Sequence, residues 1–279
     1  FGGTVSIKTG NITEDFKVNY SSSAGSYKTF KNSLEINSGL IKDKVNFNLR
    51  LSKINSDGYI DRSSSDLKSY YASASYYGEK SVIDLINFSG KEKTYQSWWG
   101  TPQSRIENDL DGMNAVIANN GYNNKQSENL LNSGRTFNYY LYDNETDNYQ
   151  QDHYQVHFNH EVSKNSNLHL AFHYTYGRGY YEQFREDDNL LNYYNVLENK
   201  EIDLVRRRWL DNHFYGITYS FFKKMNNGEL NIGGAINEYD GDHFGLIIEP
   251  VIDIKEPYYF SKSFKTDYNI FFKYNFDIS

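Results

Sequence analysis

The feature that most constrains this chain is an alternation of apolar and polar residues with period two, which recurs along its length. Successive side chains of a strand point to opposite faces, so each such run builds a strand with one apolar and one polar face. Val45, Phe47, Leu49 and Leu51 alternate with Asn46, Asn48, Arg50 and Ser52. Tyr154, Val156 and Phe158 alternate with Gln155, His157 and Asn159, and Leu168, Leu170, Phe172, Tyr174 and Tyr176 with His169, Ala171, His173 and Thr175. Tyr215, Ile217, Tyr219 and Phe221 repeat the pattern, as do Tyr268, Ile270, Phe272, Tyr274 and Phe276. Weaker strands are expected near 15–25, 29–40, 67–77, 82–93 and 230–238, giving about ten in all. Val82 to Phe88 breaks the alternation, which leaves its faces unassigned.

The connections alternate too. Polar turns at 41–44, 78–81, 162–167 and 223–229 are short, whereas segments at about 53–66, 94–150, 177–206 and 239–264 are long. On that second rim only the turn near Gly25 to Lys28 is short. Some helix is expected around Leu110 to Ala118. Unequal rims describe an antiparallel up-and-down meander with function on one side, as in outer-membrane barrels. Polar faces of Ser, Asn, Gln, His and Tyr suit a hydrated lumen, and Tyr and Phe at the ends of the apolar faces suit an aromatic girdle. Strands near ten residues match a tilted membrane crossing and exceed the roughly 5–6 residues usual in soluble sheets. An even strand number leaves closure into a small barrel open.

Composition removes several classes. The chain has 279 residues, 29 Lys+Arg against 36 Asp+Glu and a net charge of −7, so no basic stripe invites nucleic acid. No apolar run approaches the ~18 residues of a membrane helix. The absence of Cys excludes disulfides, Cys-bound metal and a thiol nucleophile. With 27 Tyr and 18 Phe but a mean hydropathy of −0.77, the chain is rich in amphipathic aromatics and poor in ordinary core residues. It opens on Phe1 directly into strand-like sequence, which reads as a mature form or a piece of a longer protein.

The opening Phe1-Gly2-Gly3-Thr4-Val5-Ser6-Ile7-Lys8-Thr9 resembles the last plug strand of TonB-dependent outer-membrane receptors, particularly Bacteroidetes members. Asn55-Ser56-Asp57-Gly58-Tyr59-Ile60-Asp61-Arg62, Gly90 to Gly100, Asp143 to Tyr154 and Gly177 to Gln183 resemble barrel sequence of the same family. The resemblance implies an all-β, antiparallel transmembrane barrel, part of a larger 22-stranded receptor. Residues 1–10 would end the plug and 11–279 would form barrel with long extracellular loops. It implies a bacterial outer-membrane transporter for a ferric siderophore, cobalamin or an oligosaccharide. Its partners would be outer-membrane lipid and, through plug sequence outside this chain, the TonB complex. No enzyme activity and no cofactor are implied. The alternative is a self-contained ten-stranded barrel, protease or porin; a soluble Tyr-rich glycan binder is a third.

Candidate ligand contacts follow from the longest connections. Tyr95, Trp98 and Trp99 begin the 94–150 segment and Tyr139, Tyr140 and Tyr142 lie farther along it. Such rings stack on sugars or aromatic ligands, or else anchor at the membrane interface and pack the loop. Arg206, Arg207 and Arg208 suit an anionic ligand or lipid headgroups, or simply a wet rim. His157 and His173, with His153 and His169, share polar faces and are metal candidates if the hairpin register sets the first two opposite each other. Asp143, Glu145 and Asp147, and Glu186, Asp187 and Asp188, are possible Ca²⁺ clusters or solvated loop charge. A protease would rest on Asp187, Asp188, Asp211 and His213, and a porin on inward folding of 94–150. No hydrolase, P-loop or dinucleotide motif is present.

Overall fold

The computed structural model describes residues 13–194, 200–250 and 256–276, and the expected plug strand at 1–10 lies outside them. Ten strands follow one another: β1 (Lys17–Gly25), β2 (Thr29–Asn37), β3 (Val45–Ser56), β4 (Ser65–Tyr77), β5 (Ser81–Tyr95), β6 (Thr146–Ser163), β7 (Ser166–Asn189), β8 (Glu201–Met225), β9 (Gly228–Glu249) and β10 (Tyr259–Phe276). They form one antiparallel sheet in chain order. Three helices, α1 (Gln103–Glu107), α2 (Leu110–Asn120) and α3 (Asn124–Asn132), lie between β5 and β6.

Register turns the sequence alternation into two surfaces. Phe47, Ala74, Leu85, Val156, Phe172, Ile217, Ile236 and Tyr268 are successive cross-strand partners, an apolar row spanning β3 to β10. One residue away, Asn48, Ser73, Ile86, Gln155, His173, Gly216, Asn237 and Asp267 form a row in which Ile86 is the one large aliphatic residue. The faces of 82–88 are thereby assigned: Ile83 and Leu85 join the apolar surface, and Asp84, Ile86 and Phe88 the polar one. Leu85, Phe172 and Ile236 are about half exposed, whereas Asn46, Ser75 and Ser33 on the polar surface are buried. An apolar band this continuous and uncovered is built to meet an apolar medium. A hollow of about 750 Å³ on that band, where Ala72 and Ala74 stand among Phe47, Leu49, Leu85 and Phe172, belongs to the same surface.

The polar surface is held by side-chain bonds near the short-turn rim. Asn46 Nδ2 donates to Asn37 Oδ1 at 3.0 Å and to the Gly39 carbonyl at 2.9 Å, and Asn48 Nδ2 donates to Asn46 Oδ1 at 2.7 Å. Gly39, at φ 69°, lets the β2–β3 turn lie against the backbone of Asp15, where a Cβ would be 2.6 Å from a backbone carbon.

Two expectations are corrected. Among the described residues the sheet does not close: β1 and β10 pair on one side only. Both edges therefore leave backbone donors and acceptors open to further strands. The long connections are also much shorter than expected, because the strands run on past the band. β7 and β8 have 24 and 25 residues, against the ~9–11 needed to cross a bilayer. Most of 177–206 and 239–264 is thus strand, and the 53–66 connection shrinks to residues 57–64. Among the described residues only 96–145 remains a long connection, and its helix covers the expected 110–118 with two more beside it.

Candidate functional site at the long-loop rim

The 96–145 segment is a small folded unit. Asp109 caps α2 by accepting from the Gly112 N–H at 3.1 Å, and left-handed Gly121 ends it. Asn123 and Gln126 form a reciprocal capping box on α3. Met113, Leu130 and Phe137 make its core, with Val116, Ile117, Tyr122, Leu131 and Tyr139 packed around them. Arg105 ties α1 to the end of α3 by donating to the Leu131 carbonyl at 2.7 Å.

Asn138, fully buried, fixes this unit to the sheet. Its Nδ2 donates to the carbonyls of Asp61 (2.8 Å) and Gln96 (3.0 Å), and its Oδ1 accepts from the Tyr140 N–H at 3.1 Å. Arg62, from the β3–β4 connection, donates to the Tyr140 carbonyl at 3.0 Å and to that of Asn138 at 3.3 Å. Buried Gln96 donates to the Glu182 carbonyl of β7 at 2.8 Å. Tyr142 stacks on Phe184, with centroids 5.5 Å apart. Among the described residues, hydrogen bonds leaving 96–145 end on Asp61, Arg62, the adjoining strand ends and the upper part of β7. The loop is thus built onto the rim, and among the described residues none of these bonds reaches the middle of the polar face, which a loop folded inward as a porin constriction would meet.

The proposed aromatics divide by burial. Tyr95 and Tyr140 are each 6% exposed, and Tyr95 donates to the Tyr142 carbonyl at 2.7 Å, so both belong to the loop's frame. Trp98 and Trp99 are largely exposed. Trp98 meets Tyr181 edge-on at 5.4 Å and Tyr140 at 6.1 Å, and Trp99 meets Tyr139 at 6.2 Å. Trp99, Tyr139 and Tyr142 also line a cleft of about 640 Å³ with Lys125, Glu145 and Arg185. Burial pushes the Glu145 carboxyl up to about 7, against backbone N–H groups of Phe184 and Tyr142 that favour its charged form.

The three arginines lie within β8 instead of preceding a strand, and neighbouring residues there point oppositely. Arg207 shares the face of Tyr180 and Glu182, bonding Glu182 at 2.8 Å with its guanidinium 4.3 Å from the Tyr180 ring centre. Arg206 and Arg208 share the opposite face with Gln183 and Tyr181. Arg206 donates to Gln183 Oε1 at 3.2 and 2.9 Å and to Tyr193 Oη at 3.1 Å. Arg208 donates to Tyr259 Oη at 3.3 Å, between the rings of Tyr259 and Tyr181. Tyr181, Gln183, Tyr193, Tyr258 and Tyr259 are not among the candidate ligand contacts that the sequence points to. Extension of the strands through 177–189 and 201–206 is what sets Gln183 opposite Arg206 and Tyr181 opposite Arg208.

The remaining candidates do not assemble. The β6–β7 register sets His157 opposite Ala171 and His173 opposite Gln155, so the expected imidazole pair is not formed. His157 instead neighbours His169, His173 bonds Asn237 at 2.9 Å, and His153 stacks on Phe88 at 4.2 Å. Among the described residues no group of metal-ligating side chains converges, so the two acidic clusters form no cation site here. Asp188 is held by Arg185 and Tyr193, and Asp211 by Tyr176. Asp188 pairs with Ile202, nine residues along β8 from Asp211, or about 30 Å at ~3.3 Å per residue. Asp211 lies 3.7 Å from His213, but Asp187 and Asp188 stand far along the hairpin from that pair, so the four do not converge on one site.

No protein-family model and no curated protein matches the sequence. Solved structures do. The ferric-catecholate import receptor Fiu of E. coli K12 matches with TM-score 0.54 at 12% identity, over 94% of this chain and 48% of that one. The fold is that of a TonB-dependent receptor barrel. The ferripyoverdine receptor of the Pseudomonas aeruginosa outer membrane gives 0.63 at 11% identity, over 97% of this chain and 36% of that one. The copper transporter OprC gives 0.62 at 13% identity, over 95% and 34%. The chain thus spans half or less of the length of these structures.

Proposed function

We propose that the chain is a barrel segment of an outer-membrane importer, in which 11–279 contributes wall and extracellular rim, and 1–10 ends a plug. The observation that carries this reading is the pair of adjacent cross-strand rows. One is apolar and open from β3 to β10, and the other is almost wholly polar. A soluble sheet would cover the first row; a barrel wall presents it to lipid and turns the second to water. The likeness to import receptors and a transporter supports uptake, with energy coupling to TonB through plug sequence outside this chain. The ligand would be met by the 96–145 unit and the extended β7–β8 hairpin, with Trp98, Trp99, Tyr139 and Tyr142 available to a siderophore, cobalamin or oligosaccharide.

The test is membrane behaviour of the full-length protein. Outer-membrane fractionation, a need for detergent and heat-modifiable gel migration are expected. A protein that stays soluble and monomeric without detergent would overturn the reading. Ligand uptake lost on replacing 98–142 by a short Gly/Ser linker, with barrel assembly retained, would place capture in that unit.

A further inference from the structure

The apolar face of the sheet changes character toward the long-loop rim. Lys53 follows Phe47, Leu49 and Leu51 on β3, Lys68 precedes Tyr70, Ala72 and Ala74 on β4, and Lys91 follows Leu85 on β5, all at the residue parity of that face. Lys68 is the cross-strand partner of both Lys53 and Lys91, so three exposed lysines stand side by side on adjacent strands. Like charges set directly opposite one another destabilise a sheet. Among the described residues, Asp66 is the one carboxylate within 4 Å of them, 3.9 Å from Lys68 and itself opposite Lys93. Asp152, diagonal to Lys91, is held by Arg178 at 2.6 Å and by Ser89 at 2.5 Å. Farther down the same strands lies the hollow of about 750 Å³ over Ala72 and Ala74.

We propose that this face binds one phosphorylated lipid of the outer leaflet, its phosphates on Lys53, Lys68 and Lys91 and an acyl chain in the hollow over Ala72 and Ala74. This rests on the membrane reading and names a partner for it. An ammonium is a compact charge with three donors, which suits phosphate oxygens. On a chain of net charge −7, a row of lysines offset by one aspartate is a local attractor for anions. The hollow supplies the other half of an amphiphile. Ala72 and Ala74 leave room between Phe47, Leu49, Leu85 and Phe172, and a hydrocarbon chain filling it gains the dispersion contacts that the small side chains forgo. Spacing joins the two halves. Ala74 is six residues from Lys68, about 20 Å at ~3.3 Å per residue. A strand tilted by ~45° turns that length into ~14 Å of depth, about half the hydrocarbon core. Tyr70 stands between lysine and hollow with its hydroxyl donating to Asn87 at 2.9 Å, a ring at the level where headgroup meets chain. Phosphate alone would need no hollow, and a neutral chain would need no lysines.

The experiment is native mass spectrometry of the full-length protein in neutral detergent, titrated with diphosphoryl lipid A, with the same lipid stripped of its phosphates, and with its deacylated, phosphorylated sugar. The intact lipid should bind about tenfold or more tightly than either, the scale of one charge-assisted hydrogen bond. K68Q/K91Q should lose about tenfold or more for the intact lipid and nothing for the dephosphorylated one. Ala74→Phe, which fills the hollow, should weaken the intact lipid about fourfold for each methylene it displaces. Lys31→Gln, turned to the polar surface beside Ile54, should leave binding unchanged. If the double variant fails to assemble, the single variants K68Q and K91Q carry the comparison. Absence of lipid binding, equal binding with and without phosphates, or wild-type affinity in the lysine variants would overturn the proposal. A deacylated sugar bound as tightly as the lipid, or an Ala74→Phe variant with wild-type affinity, would overturn the acyl part. Heat-modifiable migration, read on the same samples, reports the membrane reading separately.

Discussion

The side chain of Asn138 holds the backbone of Asp61 at 2.8 Å and of Gln96 at 3.0 Å, joining three segments distant in sequence through one buried amide. Asn138→Ala strands both carbonyls and the Tyr140 N–H in a dry environment. Each such group costs about 1–3 kcal/mol when left unpaired. Faster hydrogen exchange is expected at 57–64 and 133–145, with protection of the central strands unchanged. Uniform loss across the sheet would show that the amide supports the whole fold and not the loop alone.

The Glu145 carboxyl, raised to about 7 by burial from an ordinary 4.5, gives the loop a pH dependence of definite sign. Below about 4.5 both folded and unfolded states are protonated and burial carries no charge penalty. Between about 4.5 and 7 the unfolded state loses its proton first, so the attachment of the loop weakens as pH rises. Above 7 the folded state holds a buried charge and the penalty is complete. Glu145→Gln should flatten this dependence, and at pH 8 should slow exchange of the loop amides relative to wild type. A wild-type loop equally protected at pH 5 and pH 8 would contradict the assignment.

Gly179 faces the backbone of its β6 partner so closely that a Cβ would stand 2.1 Å from the Asn148 carbonyl oxygen, with Tyr149 lying alongside. A backbone atom cannot swing aside. Gly179→Ala should therefore disrupt the upper β6–β7 pairing and lower the unfolding temperature. Gly90→Ala, where a Cβ meets nothing within 4 Å, should be near neutral. Thermal unfolding of the two variants side by side makes the comparison.

Val156 and Gln155 are adjacent but belong to the apolar and polar rows respectively. An arginine at Val156 would meet the hydrocarbon of a bilayer, costing about 2–4 kcal/mol at its midplane, whereas an arginine at Gln155 would meet water. Val156→Arg should therefore impair assembly into lipid vesicles far more than Gln155→Arg. Equal effects would mean that the two faces do not see different media.

The period-two pattern by itself determined the strands, their order of connection and which residues share a face, because pleat geometry sends alternate side chains to opposite sides whatever the partner. Val156 and Phe172 are readable as apolar-face residues without any structure. Val82 to Phe88 was not, since Ile86 and Phe88 are apolar residues on the polar surface, and only pairing with Ser73 and Tyr71 on β4 assigns them. Strand length was also hidden. Above the membrane band neither face need meet lipid, alternation fades, and what keeps 177–189 and 201–214 extended is each other's backbone. The division of Arg206, Arg207 and Arg208 between two faces follows from that extension. So does the exposure of Trp98 and the burial of Tyr95 and Tyr140, which depends on where Asn138 and Arg62 anchor the loop. Faces are a local property of the chain; register, extension and burial are settled only by contacts between residues far apart in it.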